Sequence, residues 1–213
     1  MAGAAPGLQT GWRALFSRDG RRQIAQRLLA QAASTGNVRL LSLAIGGGAQ
    51  VNAPLMRGIT ALHIAAQRGD AAAAALLLRK GADADSEDQA EGFTPLMLAV
   101  RNDREAMLRQ LIAAGAQVDR AGATGLWPLM LAAMYGKVGM AEILLRHGAD
   151  PGLIAAKAGT TVLHAAVHEN NVHMVDLLVR YGANPDLAAA NGVTPRRLAE
   201  VAQCDAILAL LAR

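Results

Sequence analysis

Residues 58–85 read GITALHIAAQRGDAAAAALLLRKGADAD, and this stretch recurs with changes along the chain. A glycine opens each of five copies at steps of 34, 33, 34 and 33 residues: Gly58, Gly92, Gly125, Gly159 and Gly192. Gly-Ala pairs beginning at residues 48, 81, 115, 148 and 182 follow the same period. A fixed period of about 33 residues predicts a solenoid, in which each unit buries its apolar face only against its neighbours.

Within the unit, the sequence predicts two short helices joined by a tight turn. Thr60 is a favourable N-cap for the first helix, and Gly69 is suited to end it in the left-handed conformation. The second helix carries Leu77 and Leu78 on its apolar face and ends at Gly81. A polar stretch then connects each unit to the next.

These units closely resemble the ankyrin repeat family. The T-P-L-H signature of that family stands as TALH, TPLM, WPLM, TVLH and TPRR at residues 60–63, 94–97, 127–130, 161–164 and 194–197. The L-L-x-x-G-A-D helix ending stands at residues 77–83 and 144–150. The resemblance covers about residues 22–213 and implies an all-α solenoid of stacked helix-turn-helix units with protruding hairpin-like loops. It also implies that the concave face of loops and first helices is the binding surface.

We expect residues 1–20 to form a flexible basic tail and residues 21–213 to form one ankyrin repeat domain. The expected units are 21–54, 55–88, 89–121, 122–155, 156–188 and 189–213, with polar caps at both ends. The alternative for the tail, which contains Trp12, Arg13 and Phe16, is an organelle-targeting or membrane-surface segment. No apolar run of about 18 residues occurs, so we expect no transmembrane segment.

Charge and cysteine content narrow the functional class. Residues 1–40 carry six Arg and one Asp, whereas the remainder carries 15 basic and 16 acidic residues. The repeats therefore lack the clustered basic face of a nucleic-acid reader, and we expect no nucleic-acid partner. Cys204 is the only cysteine, which excludes an intramolecular disulfide and fits a reducing compartment. We expect a cytoplasmic location, with organelle targeting through the N-terminus as the alternative.

Few residues are arranged for chemistry. His164 and His168 have a spacing that could hold a metal ion, but His164 is the signature histidine of its unit, which favours a structural role. Cys204 stands beside Asp205, an unfavourable neighbour for a thiolate nucleophile. The glycines lie at turns and helix ends, and none forms a phosphate-binding loop. We therefore expect no enzyme activity, no metal and no cofactor.

The resemblance implies that the residue after each opening glycine and the residues ending each first helix face the concave groove. The protein-binding residues predicted in this way are Ile59, Gln67, Arg68, Phe93, Arg101, Leu126, Trp127, Met134, Tyr135 and His168. Equivalent positions hold Asn102, Thr160, Glu169 and Val193. We place the centre of the site on the fourth unit, because interface cores are enriched in aromatic residues, Met and Arg.

Two alternatives remain open at this point. Trp127, which stands where the family keeps Thr, is either exposed for binding or buried in the space that the Thr leaves. The chain is either a non-catalytic interaction module, such as an adaptor, inhibitor or immunity-type partner, or an assembly factor that acts by self-association. We expect the former, monomeric without its protein partner.

Overall fold

The computed structural model describes residues 17–155 and 158–212. Over these residues the chain forms twelve helices and no β-strand. In chain order they are α1 (Arg18–Thr35), α2 (Val38–Gly46), α3 (Ala61–Arg68), α4 (Ala71–Arg79), α5 (Pro95–Arg101), α6 (Glu105–Ala113), α7 (Pro128–Met134), α8 (Val138–Arg146), α9 (Val162–His168), α10 (Val172–Arg180), α11 (Pro195–Val201) and α12 (Asp205–Leu211).

The helices form six pairs, which we call units one to six. The pairs stack side by side so that their first and second helices form two layers. The first helices α1, α3, α5, α7, α9 and α11 each contact the next in one layer, and the second helices contact one another in the other layer. Each unit therefore touches only its neighbours, as a solenoid requires. The all-α fold of stacked helix pairs predicted from the sequence is confirmed.

The core runs between the two layers for the length of the stack. Leucines of the second helices, such as Leu77, Leu111 and Leu144, are fully buried, and so are small residues of the first helices, such as Ala66 and Ala132. Small side chains let neighbouring helices approach closely, which explains how a chain with 3% aromatic residues builds a continuous core.

The first helix begins three residues earlier than the predicted domain start at residue 21. Ser17 is its N-cap, because the Oγ atom accepts a hydrogen bond from the backbone N–H of Gly20 at 3.0 Å. Asp19 lies in the first turn, where a negative charge opposes the helix dipole favourably. The rest of the predicted tail, residues 1–16, lies outside the described residues.

Gly92 and Gly159, two of the opening glycines, let successive loops stack closely. Gly92 has a φ of 68°, in the left-handed region, and a Cβ atom on it would overlap the backbone of Ala123 in the next loop. Gly159 has a φ of 62°, and a Cβ atom there would lie 2.5 Å from the backbone nitrogen of Ala190. Any other residue would thus strain the backbone and separate the loops.

Candidate functional site

Two buried Thr–His pairs hold the base of the loops. In unit two, the backbone N–H of Thr60 donates to Nδ1 of His63 at 3.1 Å, and Nε2 of His63 donates to the backbone oxygen of Phe93 in unit three at 3.0 Å. Because Nδ1 accepts, the ring is neutral with its proton on Nε2. Burial lowers the pKa of His63, which keeps the ring in this form.

The same arrangement recurs between units five and six. The N–H of Thr161 donates to Nδ1 of His164 at 3.1 Å, and Nε2 of His164 donates to the backbone oxygen of Val193 at 3.0 Å. Both ring nitrogens of His164 are therefore engaged in structure. This agrees with the structural role that its place in the signature predicts.

Trp127 is buried, with 3% of its surface exposed, so the prediction that it forms part of an exposed binding patch is wrong. Its side chain caps no helix and packs in the core instead. The indole Nε1 is buried without a hydrogen-bond partner among the described residues. Met97 and Met130, which replace the signature histidine in units three and four, are likewise buried. These two units hold their loops by packing.

Phe93 is also buried, with 2% of its surface exposed, so the prediction that it is an exposed protein-binding residue is wrong as well. The guanidinium of Arg101 lies 5.0 Å from the centroid of the Phe93 ring and covers it. Arg101 also forms an ion pair with Glu91 at 3.5 Å. The aromatic residue after this opening glycine therefore belongs to the packing of the loop.

Loops and first helices of units four, five and six form an apolar groove of about 490 Å³. Leu126, Met130 and Met134 line it from unit four, and Val193 and Leu198 line it from unit six. The remaining lining residues are Thr124, Ala155, Ala158, Thr160, His164, Ala165, His168, Glu169, Ala189 and Asn191. Large apolar side chains thus stand on both sides of unit five.

The groove exists because unit five carries small residues at two inward positions. Six residues after the opening glycine, the five copies hold Ile64, Leu98, Leu131, Ala165 and Leu198. One residue after the glycine, they hold Ile59, Phe93, Leu126, Thr160 and Val193. Ala165 and Thr160 are the smallest members of these two sets, and both line the groove. Small side chains at these two positions of unit five, between larger ones in units four and six, leave the space that forms the groove.

The groove brings together three of the ten predicted binding residues: Leu126, Met134 and His168. Tyr135 is 48% exposed but does not line the groove. Ile59, Gln67 and Arg68 belong to unit two and do not line it either, although Gln67 and Arg68 are exposed. The lining residues centre on unit five, one unit later than predicted.

Sequence reasoning missed several lining residues, chiefly Ala165, Met130 and Leu198. Met130 was expected only to pack, and Leu198 lies in a unit expected to act as a cap. The signal that could have found Ala165 is present in the sequence: a comparison of the same repeat position across all copies shows one alanine among larger aliphatic residues.

The one acidic side chain among the described lining residues lies at the edge of the groove. Nδ1 of His168 lies 3.1 Å from Oε1 of Glu169, and both side chains are exposed at the end of α9. Among the described lining residues, Glu169 is the one acid. The edge therefore offers one carboxylate beside a large apolar surface.

Within residues 17–155 and 158–212, no group of three or more His, Cys, Asp or Glu side chains is arranged to hold a metal ion. No helix in the described part of the chain is long and apolar enough to cross a membrane.

The family model described as ankyrin repeats (3 copies) matches residues 29–121 and 129–213. An ankyrin repeat domain from Acinetobacter baumannii AYE superposes with a TM-score of 0.80 at 28% sequence identity, covering 86% of this chain and 95% of that one.

Two curated relatives match over part of their length. The chain is 37% identical over 114 residues to the mouse B-cell lymphoma 3 protein homolog, covering 54% of this chain and 25% of the relative. It is 38% identical over 138 residues to Xenopus laevis neurogenic locus notch homolog protein 1, covering 64% of this chain and 5% of the relative. The chain thus spans a quarter or less of the curated relatives it matches.

Proposed function

The chain belongs to the ankyrin repeat family, and from this premise we propose that it binds another protein through the groove across units four, five and six. The observation that carries the proposal is the apolar groove of about 490 Å³. Contiguous exposed apolar surface rimmed by polar residues marks interaction sites on soluble domains. The role is that of an adaptor, an inhibitor or an immunity-type partner.

The side chains around the groove support recognition, not catalysis. His164, which borders the groove, has both ring nitrogens engaged with Thr161 and Val193, so it is not free to shuttle a proton. Met134, which is 44% exposed, offers flexible, polarisable contact surface, which suits a binding face. Ankyrin repeats generally act as non-catalytic interaction modules, and the proposal treats this chain likewise. The single cysteine supports a reducing compartment such as the cytoplasm.

The test fills the groove without removing any interaction in the core. Ala165→Leu places at this position the residue that units three, four and six carry. Ala106→Leu makes the same change at an exposed site on α6, away from the groove, and is the matched control. Each variant and the parent chain serve as bait for proteins in native lysate, with quantitative mass spectrometry of the captured proteins.

A specific partner is captured by the parent chain and by Ala106→Leu but lost with Ala165→Leu. If every captured protein is retained by Ala165→Leu, the groove is not the binding site. Light scattering on the purified chain addresses self-association: a tight homo-oligomer that Ala165→Leu dissociates would replace the proposed partner with a second copy of this chain.

A further inference from the structure

We propose that the groove receives an amphipathic helix of the partner protein, with bulky apolar side chains toward unit five and a basic residue beside Glu169. The inference rests on the proposed function, because it specifies what enters the same groove. It follows from the size of the groove, from its polar groups and from the position of its one acid among the described lining residues.

The volume of the groove fits several side chains from one face of a helix. A cavity of about 150 Å³ is enough to take up a benzene molecule, whereas this groove holds about 490 Å³. A single anchoring residue would leave most of the apolar surface of the groove exposed to water. Residues three or four positions apart on a helix project from one face, and two or three of them would fill such a space together.

The backbone groups of the lining residues Thr160 and Val193 favour a helix over an extended segment. The backbone oxygen of Thr160 already accepts from the N–H of Ala155 at 2.8 Å. The backbone oxygen of Val193 accepts from Ala189 at 2.8 Å and from His164 at 3.0 Å. An extended segment would bring unpaired N–H and C=O groups against these engaged atoms, whereas a helix satisfies its own backbone.

The walls of the groove can pack against the uneven surface of a partner helix. Met130 and Met134 lie four residues apart in and at the end of α7, so both side chains reach the same side of the groove. Methionine has three rotatable bonds and adapts its shape to a partner. Leu198 and Val193 form the opposite wall with less freedom. The exposed side chain of Met134 can therefore adjust on the unit-four side around the partner's side chains.

The carboxylate of Glu169 at the edge of the groove favours a basic residue on the side of the partner helix that faces it. Glu169 ends α9 at the rim and is exposed, with His168 as its described neighbour at 3.1 Å. A Lys or Arg of the partner, one turn from an apolar anchor, would meet this carboxylate as the apolar face enters the groove. Such rim pairs contribute more to orientation and association rate than to affinity.

The experiment screens two phage-displayed peptide libraries against the full chain. One library presents a helix-forming scaffold randomised at positions i, i+3, i+4 and i+7, and the other presents unconstrained peptides. Selected peptides are synthesised, and their affinities are measured for the parent chain and for Ala165→Leu, Glu169→Gln and Ala106→Leu. Thr160→Leu is a second groove-filling variant, and thermal melts of all variants verify folding.

We expect helical peptides with large apolar residues at i and i+4 and with Lys or Arg nearby. Their affinity should fall about tenfold or more with either groove-filling variant and stay within about twofold for Ala106→Leu. Glu169→Gln should weaken binding by about threefold and reduce its dependence on salt.

Two outcomes would overturn the inference, and they are distinguishable. If unconstrained, proline-containing peptides bind and are lost with Ala165→Leu while the helical library yields none, the groove binds protein but the helix is wrong. If no peptide from either library is sensitive to Ala165→Leu or Thr160→Leu, the proposed function of the groove fails as well.

Discussion

Nε2 of His63 donates a hydrogen bond of 3.0 Å to the backbone oxygen of Phe93, 30 residues further along the chain. A side chain of one unit thus holds the loop of the next, while Nδ1 of the same ring accepts a hydrogen bond from the backbone N–H of Thr60, which requires the neutral ring. His63 is fully buried, and a proton on Nδ1 would break the hydrogen bond from the backbone N–H of Thr60 and leave the Thr60 hydroxyl, 2.9 Å away, as the neighbouring acceptor. The junction between units two and three is therefore sensitive to acid.

Acid should destabilise the fold through His63. The pKa of this ring is lowered by burial from its ordinary value of 6.5. Below about pH 6.5 the unfolded chain binds a proton that the folded chain excludes, so the free energy of unfolding falls as the pH drops toward the folded-state pKa. Urea melts between about pH 7.5 and pH 5 measure this slope.

His63→Met isolates this contribution, because units three and four carry Met97 and Met130 at the same position. The variant should lose about 1–3 kcal/mol at neutral pH, since it leaves buried partners unpaired. It should also show a shallower loss of stability in acid than the parent chain. The exposed His173→Gln control should keep the parent's slope; an unchanged slope in His63→Met would assign the acid sensitivity to other groups.

Leu144→Ala tests whether the middle of the stack holds the solenoid together. Leu144 is fully buried in α8. Truncation of a buried leucine removes apolar contacts and leaves a cavity, which costs about 2–5 kcal/mol. Chemical denaturation measures the change, and a loss below about 0.5 kcal/mol would place this side chain outside the cooperative core.

Trp127→Phe should leave the stability unchanged or raise it by up to about 1 kcal/mol. The change keeps most of the aromatic contacts and removes Nε1, the buried donor without a partner among the described residues. An unpaired buried polar group destabilises the folded state, so its removal offsets the loss of apolar area. Thermal melts provide the measurement. A loss well above about 1 kcal/mol would show that Nε1 makes a compensating hydrogen bond in solution.

Met134→Ala and Tyr135→Ala separate the groove from the binding site predicted on unit four. Met134 lines the groove, whereas Tyr135 is exposed beside it. Met134→Ala should weaken partner binding by about 1–2 kcal/mol, and Tyr135→Ala by much less. Calorimetric titration with a partner or a selected peptide compares them. The reverse order would return the centre of the site to Tyr135.

Local chemistry explains which parts of the fold were predictable. The period, the Thr and Pro residues at helix starts and the glycines at turns act within a few residues, so the sequence alone predicts the helix pairs. The early start of α1 was missed because its cap is a single serine, Ser17, in a segment without apolar periodicity.

The candidate site depends on relations between units, which are harder to predict. The exposure of Trp127 and Phe93 is decided by the space that neighbouring loops leave, and both side chains fill it. The groove depends on the side chain of Ala165, which is smaller than that of Leu198 and of the other residues at the same repeat position. Position in the repeat indicates the face that loops and first helices share, but not where small side chains leave a groove between units.

The hydrogen bonds from histidine side chains to the next loop are distributed unevenly along the stack, and this affects how firmly successive loops are held. His63 and His164 lock the loop junctions of units two to three and five to six with directional bonds. At the junctions that follow units three and four, Met97 and Met130 supply only non-directional packing. The groove thus lies between a loop base held by a histidine bond on the side of unit six and one held by methionine packing on the side of unit four, and we expect the unit-four side to be displaced more easily when the groove is filled.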